Sequence, residues 1–109
     1  MSKSARLEWL SDRLRVTGDI SPGNVCEIRN EGERLIAEKN QDVVVVDLSG
    51  LGAAHSVVLS LLLCWLRLAR SRNQSLSLEG AGDRLRSLAR LSGLNQHLPG
   101  IAEPSAGHS

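Results

Sequence analysis

At 109 residues, 41% of them hydrophobic, the chain is long enough to enclose one core without metal or disulfide staples and too short for two ordinary domains. It has no Phe or Tyr and only Trp9 and Trp65, so the core must be aliphatic, and stacking on nucleic-acid bases is excluded as a main binding mode. The net charge of +1 hides an asymmetry: residues 67–90 hold six arginines against Glu79 and Asp83, whereas residues 1–66 hold seven basic and nine acidic groups. Such a cluster reads first as solvated helix surface and second as a seat for an acidic partner.

Leu7–Leu10 and Arg13–Ile20 read as two short strands joined at Ser11-Asp12, the second alternating Leu14, Val16, Gly18 and Ile20 against Arg15, Thr17 and Asp19. Ser21 is expected to cap a helix with Pro22 at its first position, and Val25, Ile28, Gly32, Leu35 and Ile36 make its apolar stripe. The valine run Val43–Val46 predicts a strand buried on both faces. It feeds the small-residue loop Asp47-Leu48-Ser49-Gly50-Leu51-Gly52-Ala53-Ala54-His55, which opens a helix over Ser56–Ser71 with Ser56 as its N-cap.

On that helix a spacing of about 100° per residue sets Val58, Leu61, Leu62, Trp65, Leu68 and Ala69 toward the sheet. Ser56, Ser60, Arg67 and Ser71 fall on the opposite stripe, with Leu63 inside it and Leu59 at its border. Two leucines there mark a contact surface, unless the next helix lies over them. A strand at Ser75–Glu79 and a helix from about Gly82 to Ser92, ended by Gly93, complete the pattern. Residues 1–100 are thus expected to form one α/β domain with a partly parallel, four- to five-stranded mixed sheet and helices packed on it, and 101–109 a disordered tail.

Three chemistries are weak. Gly50-Leu51-Gly52 with Glu79 is a partial dinucleotide fingerprint, but His55 stands where close helix packing wants no side chain. Ser56 as a nucleophile would need a base within reach, and His55, adjacent in sequence, diverges from it. His55, His97, His108, Cys26 and Cys64 share no ligand spacing, so neither a metal nor another cofactor is expected. The cysteines read as reduced structural thiols. The first residues lack the apolar core of a signal peptide, and Val57–Leu66 is about half a membrane span.

The stretches Val43–Gly50, His55–Leu63, Leu66–Arg70, Leu78–Gly80 and Leu88–Leu94, with the early Leu14–Gly18 strand, resemble a STAS domain, most closely the MlaB-like group. The resemblance runs from about Leu7 to Pro99 and implies a non-enzymatic subunit of a phospholipid-transporting ABC complex that maintains outer-membrane lipid asymmetry. Such a subunit would be cytoplasmic, peripheral at the inner membrane through an MlaF-like ATPase and indirectly the permease, with neither nucleic-acid binding nor direct membrane insertion. The family's loop hydroxyl matches Ser56, a phosphorylation site in anti-sigma-factor antagonists and a partner contact in MlaB-like proteins. His55 replaces the family's Asp and Val58 its Gly, which disfavours kinase recognition. The implied contact residues are Gly52, Ala54, His55, Ser56, Leu59, Ser60, Leu63 and Arg67, joined by Arg84 and Arg86 of the last helix. The alternative the resemblance carries is an anti-sigma-factor antagonist regulated by phosphorylation at Ser56.

Overall fold

The computed structural model describes residues 4–53 and 55–101. Strands β1 (Arg6–Leu10) and β2 (Arg13–Gly18) form an antiparallel hairpin whose two-residue turn places Ser11 at φ 57°. Helix α1 (Val25–Lys39) crosses to β3 (Val43–Leu51), and α2 (Ser56–Ser71) crosses to β4 (Ser75–Glu79). Both crossovers make parallel pairs, giving a four-stranded mixed sheet of order β1-β2-β3-β4. Helix α3 (Asp83–Leu91) follows and ends toward Gly93, at φ 72°.

One face of the sheet carries the core. Leu14 and Val16 of β2, Val44, Val46 and Leu48 of β3, and Leu76 and Leu78 of β4 are all buried. The valine run departs from the expectation of burial on both faces, because Val44 and Val46 are fully buried while Val43 is 56% exposed and Val45 only half-buried. Among the described residues no helix covers the second face, which is instead laced by charge. Arg13 lies opposite Val45 and bonds Glu79 at 3.1 Å, with Asp47 at 3.9 Å, so its stem shields the valine while its head stays wet. Burial works against the charged form of Asp47. Hydrogen bonds from Ser49 Oγ (2.7 Å) and Ser49 N (2.9 Å), aided by Arg13 and Arg15, outweigh it and hold the carboxyl below its ordinary 3.8.

Helix α2 is central: it packs on α1, β4 and α3. Trp65 is fully buried and its Nε1 donates to Arg29 O at 3.1 Å. The indole lies where a side chain on Gly32 would otherwise sit, so the glycine lets α1 and α2 approach. Gln74, the one buried polar residue among those described, donates from Nε2 to Gln41 O (2.8 Å) and Ile36 O (3.2 Å), closing the end of α1.

Two boundaries shift. Ser21-Pro22-Gly23 forms a turn rather than helix, and α1 begins at Val25 with Asn24 at the cap position. Ser21 N donates to Asn24 Oδ1 (2.9 Å) and Gly23 N to Ser21 Oγ (3.3 Å), so the local side chains close a turn before the helix starts. At the other end Ile101, expected in a disordered tail, is fully buried, and Leu78 N of β4 donates to Pro99 O at 2.8 Å. The rest of the expected tail lies outside the described residues.

Candidate functional site: an anchored loop and an uncapped helix start

The β2–β3 pairing slips by one residue between Arg15/Asp47 and Thr17/Gly50. Such a bulge increases local twist and re-aims the end of β3. Gly50 and Leu51 remain in the strand, so the loop proper is short and begins at Gly52. Gly52 N donates to Gly18 O at 2.7 Å, and Ala53 N to Asp19 Oδ1 at 2.9 Å. A Cβ on Gly52 would overlap that carboxylate, which accounts for the glycine. Asp19 is itself held, its carbonyl accepting from Asn24 Nδ2 at 3.0 Å. The loop is therefore tied to the end of β2 and, through Asn24, to the start of α1.

His55 occupies the cap position of α2 in extended conformation (φ −117°, ψ 156°) and its carbonyl accepts from Val58 N at 3.0 Å. Ser56 is thus the first helical residue, not the N-cap, and α2 has no side-chain cap and no acid in its first turn. The uncapped turn leaves backbone N–H groups and the positive end of the helix dipole facing solvent beside an exposed hydroxyl. Gly52, His55, Ser56, Ser60, Arg67 and Arg84 are all exposed, and Ala54 lies outside the described residues.

Two expected contact residues change status. Leu59 is 2% exposed, because α2 is enclosed by α1, the sheet and α3 together, and its apolar arc is wider than a single sheet contact requires. Leu63 is half-buried and packs against the core, so a charge there would cost stability as well as contact. The exposed strip of α2 is left polar and basic: Ser56, Ser60, Arg67, Arg70 and Ser71.

A groove of ≈ 330 Å³ runs between the β3–α2 loop and the start of α3, lined by Gly52 and Ala53 on one side and by Gly82, Asp83 and Arg84 on the other. It brings the glycine loop and Arg84 together. Arg86 does not line it; it is half-buried and ion-paired with Asp83. Asp19, which holds the loop, escaped the sequence reading because it looked like one more outward position in the alternation of β2. Among the described residues no cluster of His, Cys, Asp and Glu is arranged to hold a metal ion, and no helix is long and apolar enough to cross a membrane.

A four-stranded mixed sheet with this helical cover is shared by several solved structures. The anti-sigma-factor antagonist SpoIIAA in its unphosphorylated form matches with a TM-score of 0.69 at 18% identity, over 87% of this chain and 85% of that one. An anti-sigma-factor antagonist from Mycobacterium paratuberculosis gives 0.70 at 18% identity, over 92% and 86%. RsbS from Moorella thermoacetica, carrying a serine-to-glutamate substitution, gives 0.68 at 17% identity, over 96% and 92%. At such identities these likenesses establish the fold class alone. The family follows from the sequence: the model described as Mlab, STAS domain, matches residues 6–101, and the chain belongs to that family. A search of curated protein sequences gave no significant match.

Proposed function

We propose that the chain is a non-enzymatic STAS subunit that binds and supports the ATPase of a phospholipid-transport ABC complex. The observation that carries this reading is the match of residues 6–101 to the MlaB-type family. The site's chemistry supports it. The exposed hydroxyl, the anchored Gly52 and Ala53 and the basic strip of α2 make a small surface suited to a partner. A fixed loop lowers the ordering cost of association. In this reading the contact comprises Gly52–Ser56, Ser60, Arg67 and the Arg84 side of the groove, with Leu63 as its half-buried floor. Membrane association is indirect, through the ATPase and its permease.

A second reading, an anti-sigma-factor antagonist controlled at Ser56, is favoured by one feature: the hydroxyl is exposed at the positive end of α2, where a phosphate would be stabilised. His55 in place of the family's acid and Val58 in place of its glycine weigh against it. Affinity purification from the native host with mass spectrometry separates the two. Recovery of an ABC ATPase with its permease supports the first reading. Recovery of an anti-sigma kinase, with a phosphate mapped to Ser56, overturns it in favour of the second.

A further inference from the structure

The two edges of the sheet are treated differently. The outer edge of β4 is covered, because Leu78 N donates to Pro99 O and Leu98 and Ile101 are buried beside it. Among the described residues the outer edge of β1 has neither a neighbouring strand nor a backbone partner. It carries neither Pro nor a bulge, and its two charges, Arg6 and Glu8, are of opposite sign, so they oppose pairing in some registers and favour it in others. A groove of ≈ 400 Å³ runs along it, lined by Ala5, Arg6, Leu7 and Glu8 with Thr17 and Glu31.

We propose that β1 is a homodimerisation edge, on which a second copy's β1 pairs antiparallel to give a continuous eight-stranded sheet. The register follows from the hairpin. Leu10 and Arg13 flank a two-residue turn and form its closing hydrogen-bonded pair, so alternation turns the backbone groups of Leu10, Glu8 and Arg6 toward β2 and those of Leu7 and Trp9 outward. In a two-fold symmetric pair, opposed residues must point to the same face of the sheet, so the axis passes at a residue position. An axis at Arg6 opposes two arginines, and one at Glu8 opposes two glutamates. An axis at Leu7 places Arg6 against Glu8 of the second copy, twice. It also lets the outward groups of Leu7 bond their symmetry mates, and those of Trp9 bond Ala5. The charge pattern of Arg6-Leu7-Glu8 is therefore self-complementary in one register, and that register uses the free backbone groups. No residue of the Gly52–Ser56 loop takes part, so this surface stands independently of the ATPase reading.

Sedimentation equilibrium of the full chain across a wide concentration range tests it. Wild type is expected to show a concentration-dependent monomer–dimer equilibrium. Arg6→Glu and Glu8→Arg, both at exposed positions, should each weaken dimerisation about tenfold or more, since like charges then oppose one another. An equimolar mixture of the two variants should recover association as a heterodimer, because every opposed pair is again of opposite sign. A wild-type chain that stays monomeric to about 1 mM overturns the proposal. So does a dimer unmoved by either variant, or a mixture of folded variants that fails to recover.

Discussion

The middle of α2 and its first turn belong to one continuous helix yet are built to opposite ends. Around Trp65 the helix is enclosed: the indole is fully buried, its N–H reaches Arg29 O, and Gly32 gives it room. At Ser56 the helix opens to solvent without a cap, and the bonds that exist hold the preceding loop rather than the helix end. Stability is concentrated where side chains from α1 and α2 interlock, and exposed polar groups are left where a partner can use them. A region that invested its hydrogen bonds in its own helix end would have fewer to offer another surface.

The strongest way to break the enclosed region is to empty it. Trp65→Ala should destabilise by about 3–5 kcal/mol, and Gly32→Ala, which drives a methyl into the indole, by about 1–3 kcal/mol. Denaturant melts of both variants measure this, and a change below about 0.5 kcal/mol in Trp65→Ala would mean the helix is not clamped there. The first turn should respond in another currency. Asp19→Ala removes the acceptor of Ala53 N and should lower stability by only about 1 kcal/mol, while hydrogen exchange at Ala53 speeds up by roughly tenfold or more.

The open face of the sheet adds a pH test outside both regions of α2. Asp47 titrates below its ordinary 3.8 in the folded chain. A depressed folded value contributes stability that is present above the unfolded pKa and lost as pH falls through the folded one. Asp47→Asn should therefore be less stable than wild type by about 1 kcal/mol or less at pH 7. The difference should begin to shrink as pH falls through 3.8 and vanish once the folded carboxyl is itself protonated, and a difference that stays constant down through that range would assign the effect to packing rather than charge. Smallest of all, Ser56→Ala should change stability by less than about 0.5 kcal/mol, against about 1 kcal/mol for a true N-cap. A larger loss in thermal melts would mean that the hydroxyl caps α2 in solution.

Much of this contrast was legible in the sequence. The periodicity of residues 56–71 gives the full extent of α2, and Ser75–Glu79 reads as a strand at its observed bounds, because both elements repeat a strong apolar pattern. Leu59 was misassigned because one helix wheel cannot count how many neighbours enclose the helix. The valine run was misread because β-branched residues suit a half-buried face as well as a fully buried one when arginine stems lie across it. Asp19 and the closure of the C-terminal segment rest on contacts across 34 and 21 residues of chain, between Asp19 and Ala53 and between Leu78 and Pro99, which no local spacing reveals.

The central claim is that the Gly52–Ser56 loop is a contact surface, and Ser56→Arg tests it most directly. The side chain would stand on the exposed first turn of α2, clear of the core, so the fold should be retained. Titration of the purified chain against the ATPase subunit of the host's phospholipid-transport ABC complex should show affinity reduced about hundredfold or more for Ser56→Arg, with Ser56→Ala within about threefold of wild type. A folded Ser56→Arg chain that binds that ATPase with wild-type affinity would contradict the account.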